Sequence, residues 1–164
     1  MAESKAATEI SLNALNISTT ESPLPHYLPM TIIRSYEIMN IKTEFWVQLF
    51  GDQIIFGVSQ LGGRIGTLVL CQVEEETPMF SKKKAFNVST LLGGAGRDEL
   101  LQVYARGITE RISDMRTSSA DTIPAVLLQI SLSKQNEKDP AMFKLIIDTA
   151  LKLYKEAIQQ LSDT

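Results

Sequence analysis

Between Ile32 and Glu74 the chain is a succession of four runs rich in β-branched and aromatic residues. They are Ile32 to Ile38, Ile41 to Phe50, Gln53 to Gln60 and Ile65 to Glu74. Gly51-Asp52 and Gly62-Gly63 interrupt them. Such residues suit a pleated, half-buried surface, and connections this short join antiparallel neighbours. The pattern predicts a four-stranded meander, with Gly62-Gly63-Arg64-Ile65-Gly66 as a hairpin turn whose glycines take positive φ. Gly66, just inside the following strand, marks a bulge or a close backbone approach. Arg64 stands at the tip as a candidate partner contact. The polar run Glu74-Glu75-Glu76-Thr77-Pro78 ends the meander.

Further along, Ala85 to Leu91 reads as a fifth strand and Ala125 to Leu132 as a sixth. From about Asp98 to Asp114, Leu101, Tyr104, Ala105, Ile108, Ile112 and Met115 recur at helical spacing. The last element is a helix with Asp139 as its cap and Pro140 at its first position. Phe143, Ile147, Ala150, Leu151, Tyr154, Ile158 and Leu161 form its apolar stripe, and Lys152 and Glu156 are spaced for an i,i+4 pair. Residues 1–26 are rich in Ala, Ser, Thr and Glu and read as a disordered tail. Residues 27–164 then make a single α+β domain, a mainly antiparallel sheet of about six strands with two helices on one face.

Two helices cannot cover both faces of such a sheet. A sheet face left in water should read as polar at every second position, and here it does not. Trp46, Gln48 and Phe50 oppose Phe45, Val47 and Leu49; Ile55 opposes Ile54 and Phe56. Leu70 and Gln72 oppose Val69, Cys71 and Val73, while Leu127 and Gln129 oppose Val126, Leu128 and Ile130. If these sides align across strands, the second face is apolar, aromatic and uncharged, which is the make-up of an interface core. Trp46, Gln48, Phe50, Ile55, Leu70, Gln72, Leu127 and Gln129 are therefore the candidate dimer interface. The alternative cover is the chain's own tail.

Material for catalysis is scarce. The formal charge of −3, with Lys82-Lys83-Lys84 as the one dense basic run, argues against a nucleic-acid partner. That triplet reads as an exposed loop. The single cysteine, Cys71, sits among Leu68-Val69-Leu70 and reads as a small buried hydrophobe. It permits no internal disulfide and no cysteine-rich zinc site. The single histidine, His26, lies in the tail, so neither metal binding nor histidine-based catalysis has its residues. No apolar run reaches the roughly 18 residues of a membrane span, and the first residues carry no secretory pattern. Gly93-Gly94-Ala95-Gly96 before a helix lacks the Gly-Lys-Ser/Thr of a phosphate loop, and Asp98-Glu99 beside it would repel phosphate. Those two carboxylates suit a helix start better than an acid–base pair. A non-enzymatic, reduced protein of the cytoplasm and nucleus is expected, without cofactor or metal.

Two stretches resemble a known family. One is Val58-Ser59-Gln60-Leu61-Gly62-Gly63-Arg64-Ile65-Gly66-Thr67-Leu68-Val69; the other is Leu91-Leu92-Gly93 followed by Leu100-Leu101-Gln102-Val103-Tyr104-Ala105-Arg106. Both look like the third proteasome assembly chaperone family, at Gln60, Gly62, Gly66, Thr67, Leu91, Leu92 and Gly93. Ala125-Val126-Leu127-Leu128 is similar in position and type, and the likeness runs from about residue 31 to 158. The hairpin is one glycine longer than the family pattern, and the gap after Gly93 is longer. The resemblance implies a non-catalytic fold that dimerises through the helix-free side of its sheet. It implies a related partner, the fourth assembly chaperone, as the alternative to a homodimer. The pair would hold an alpha-type subunit of the 20S proteasome, the fifth, during alpha-ring formation. The rival readings are a trafficking or signalling scaffold of the roadblock or longin type, and a small-molecule enzyme using the Gly93–Gly96 loop.

Overall fold

A computed structural model describes residues 29–64, 66–75, 84–93, 98–116, 123–134 and 139–163. The predicted tail lies outside the described residues, as do Gly94 to Gly96, Lys82 and Lys83. Six strands and two helices follow in the order β1 (Met30–Ile38), β2 (Ile41–Leu49), β3 (Gln53–Ser59), β4 (Thr67–Glu75), β5 (Lys84–Leu92), α1 (Asp98–Met115), β6 (Ala125–Ser131) and α2 (Pro140–Ser162). The α+β class and the element order are those expected.

The strand order corrects the meander. The sheet runs β1-β2-β3-β6-β4-β5, so β6 stands between β3 and β4. It pairs parallel with β3 and antiparallel with β4. The link from β3 to β4 is thus no hairpin turn, because its two ends stand on either side of β6, two strand spacings or about 9.6 Å apart. The physical reason lies in β6 itself. Val126, Leu128 and Ile130 are fully buried on its inner side, and its outer side is half-buried. A strand buried on one face and largely covered on the other gains most at the centre, where both backbone edges are also paired.

Glycine makes the crossing feasible. Gly62 and Gly63 adopt φ of 65° and 72°, as expected of a tight turn. Ser59 Oγ accepts hydrogen bonds from the N–H groups of Leu61 (3.4 Å) and Gly63 (3.1 Å), which shapes the loop. At Gly66 a Cβ would lie 2.1 Å from the carbonyl oxygen of Ile130, so the backbone of the connection rests on β6.

Both helices pack on one face. α1 lies over β4, β5 and β6, and α2 over β1 and β2. Phe45, Val47, Phe56, Leu128 and Ile130 from the strands meet Tyr104, Ile108, Ile112, Met142, Ile146 and Leu153 in one core. α1 buries its expected stripe except Met115, which is 37% exposed. The helices touch at Gly107, where a Cβ would meet Ile147 Cδ1 at 2.8 Å and Phe143 Cζ at 3.4 Å. The α2 stripe needs correction: Met142, Ile146, Leu153 and Ala157 are buried, whereas Ile158 and Leu161 are exposed. α2 has two neighbours, the sheet and α1, so its buried sector is wider than one stripe, and its last turn projects past both. Asp139 caps α2 as expected, its carboxylate accepting from Ala141 N–H at 2.8 Å. Glu156 reaches Arg34 on β1 rather than Lys152.

Lys84 is also not a loop residue. It opens β5, and its Nζ donates to the Ser113 carbonyl at 3.2 Å in the last turn of α1, where a cation is favoured.

Candidate functional site: the helix-free sheet face

Inter-strand register decides which second-face residues are neighbours. Gln48 pairs with Ile55, Ile55 with Leu127, and Leu127 with Leu70. A second row runs from Ile33 through Trp46, Gly57, Gln129 and Leu68 to Leu92. All of these lie on the side away from the helices, because they alternate with the buried Val47, Phe56, Leu128 and Val69. The alignment assumed from the sequence therefore holds for Trp46, Gln48, Ile55, Leu70, Leu127 and Gln129. Gln72, opposite Asn87, shares the face and is exposed. Phe50 lies beyond the end of β2, in the turn where its N–H donates to Gln53 O at 2.9 Å, and it is 38% exposed.

The face is graded in polarity. Its two central rows carry no charged side chain. At one end Glu44 pairs with Lys42 at 3.0 Å; at the other Glu74 accepts from Asn87 at 3.2 Å. An uncharged centre with a polar rim is the anatomy of an interface.

Sequence reasoning passed over several contributors. Ile33 is 66% exposed beside Trp46, the largest exposure of any apolar side chain in the described strands. Its signal was the adjacent pair Ile32-Ile33, which cannot share a face. Leu91 and Leu92 are 55% and 56% exposed, and the register shift at Leu68/Val69 leaves Leu91 unpaired between them. A bulge of this kind is not legible without the partner strand.

The motif positions meet at one end of the sheet. Gly93 takes φ of 97°, and a Cβ there would lie 2.8 Å from Thr67 Oγ1. Leu92 pairs with Leu68, and Gly66 rests on Ile130. Gln60 ties the same end together. Its Nε2 donates to Thr43 Oγ1 (3.2 Å), its Oε1 accepts from Ser133 N–H (3.1 Å), and its own N–H bonds Ser131 O (2.8 Å). These residues hold the crossing of the connection over β6. They build the fold rather than line a pocket.

No cluster of three or more His, Cys, Asp or Glu able to hold a metal exists among the described residues. No described helix is long and apolar enough to cross a membrane. Cys71 is fully buried beneath α1. Burial pushes its thiol above the ordinary value, against smaller opposing effects of a hydrogen bond with Thr109 and the charge of Arg106. A neutral, enclosed thiol is a poor nucleophile.

The profile of the family described as proteasome assembly chaperone 3 matches residues 57–152, more than half of the chain. The chain belongs to that family. Within the proteasome assembly chaperone 3 family, the matched span begins at Gly57 on β3 and ends at Lys152 in α2, so it contains the crossing, both motif stretches and β6. A search of curated proteins finds no match. Among solved structures, one similar chain comes from a crystal structure described as a novel chaperone complex for yeast 20S proteasome assembly. The likeness has a TM-score of 0.54 and 13% identity, and covers 77% of this chain and 98% of that one. At that identity it establishes the shared fold.

Proposed function

We propose that this chain is a non-catalytic chaperone of 20S proteasome assembly that works as a dimer with a related assembly chaperone, the fourth. The pair would hold an alpha-type subunit, the fifth, while the alpha ring forms, in the cytoplasm and nucleus. The observation that carries the dimer is the helix-free face: an uncharged, half-buried surface continuous over the strands, with the charged groups at its ends. Membership of a chaperone family and the likeness to a protein crystallised in a chaperone complex support the assembly role.

Two such faces stack naturally, since sheets pack about 10 Å apart with interleaved side chains. An interface of standard size, about 1,600 Å² in total, would stabilise the pair. The chaperone would act by differential binding, tighter to the assembly intermediate than to the finished particle. A tenfold preference needs only about 1.4 kcal/mol. The test is co-purification of the full chain from cells, followed by mass spectrometry. The expected result is a related chaperone and alpha-type subunits without the mature particle. Recovery of vesicle or GTPase components in their place would support a scaffold of the roadblock or longin type and overturn the assembly role.

A further inference from the structure

Gly57 is buried although it lies on the open face of the sheet. Its cover is Trp46, directly opposite on β2. A Cβ built on Gly57 would fall 1.7 Å from Trp46 Cε2, 1.9 Å from Cζ2 and 2.2 Å from Cδ2. The indole therefore lies against the backbone of β3, occupying the space that any other residue at position 57 would fill. Gly57 is not among the glycines with positive φ, so its backbone does not require glycine. What glycine supplies here is room.

The consequence is the relief of the surface. A large aromatic group laid flat across the neighbouring strand forms a low platform. The same group standing upright would hold an opposing sheet away from the centre. The platform sits between Ile33 on one side and Gln129 on the other, in the row that crosses the sheet to Leu68. Flat aromatic groups at the uncharged centre of a face are typical anchors of an interface.

We infer that Gly57 is a positioning residue that seats Trp46 flat as the anchor of the sheet-to-sheet interface, and that the occupant is the open sheet face of a related chaperone. This rests on the dimer reading above. Trp46 is the only tryptophan in the chain, so its fluorescence reports this site alone.

The experiment uses the full chain, its Gly57→Val variant and the double variant Gly57→Val/Trp46→Leu. The probes are the purified fourth assembly chaperone and the chain itself at rising concentration. Association is measured by sedimentation, folding by circular dichroism, and the indole environment by emission. In the wild type, association should shift the Trp46 emission to the blue. Gly57→Val should red-shift the emission of the isolated chain and weaken association by about thirtyfold or more, the scale of an interface anchor. The double variant removes the steric conflict, so it should regain the wild-type melting temperature and still associate weakly. If it regains both, the platform is local packing only and the inference falls. Normal association with no change in Trp46 emission also overturns it, while leaving a dimer through another surface. If the wild type associates with neither probe, the dimer reading fails first.

Discussion

Leu70→Asp separates the stability of the fold from the affinity of the proposed dimer. Leu70 sits on the open face between Leu127 of β6 and Ser89 of β5, and is half-buried in the isolated chain. Complete burial of a leucine side chain is worth about 2 kcal/mol, so a partner covering what is still exposed, a third at most, adds about 0.5 kcal/mol. A carboxylate enclosed there without a cation costs about 3 kcal/mol more, because the central rows offer no positive group. Together these weaken association by about 3.5 kcal/mol, roughly a few hundredfold. In the protomer the new carboxylate still reaches water, so its stability should fall by only about 1 kcal/mol. Sedimentation velocity over a concentration series with the partner reads the first quantity, and urea unfolding of the isolated chain reads the second. A variant that dimerises with wild-type affinity would refute the placement of the interface. A variant that unfolds outright would show that this face belongs to the core.

Other substitutions probe the architecture that supports the face. Gly66→Ala should destabilise the chain by about 3 kcal/mol in urea titration, since the new Cβ would meet the Ile130 carbonyl and neither backbone can yield cheaply. Gln60→Leu should lose about 2 kcal/mol in the same assay, because it strips Thr43 Oγ1 and Ser133 N–H of a partner at the crossing. Cys71 should resist alkylation in the native protein and react only in denaturant, as followed by mass spectrometry. Its thiol is raised from 9.0 in the folded chain, so its contribution to stability is complete below that pH and is lost as pH rises through the folded value. Cys71→Ala should flatten that alkaline decline in unfolding free energy measured from pH 8 to 11.

Much of the local structure was legible because it depends on neighbours along the chain. Asp139-Pro140 marks the start of α2, and the spacing of Leu101, Tyr104, Ile108 and Ile112 marks the inner side of α1. What could not be read depends on residues far apart. The double glycine at 62–63 looks the same whether the next strand pairs with β3 or passes beyond β6. Likewise Ile158 and Leu161 continue a stripe whose support ends before they do.

The candidate face shows the same division. Alternation along each strand sorts Trp46 from Val47 and Leu127 from Leu128, since successive side chains on a strand point to opposite sides. The amino-acid order thus establishes a surplus of apolar strand surface and the family. Register, set by hydrogen bonds between distant segments, decides the rest. It places Ile55, Leu127 and Leu70 side by side, brings Gly57 under Trp46, and inserts β6 at the centre of the sheet. A strand's own sequence states which side chains share a side, but only its partners decide what lies beside them.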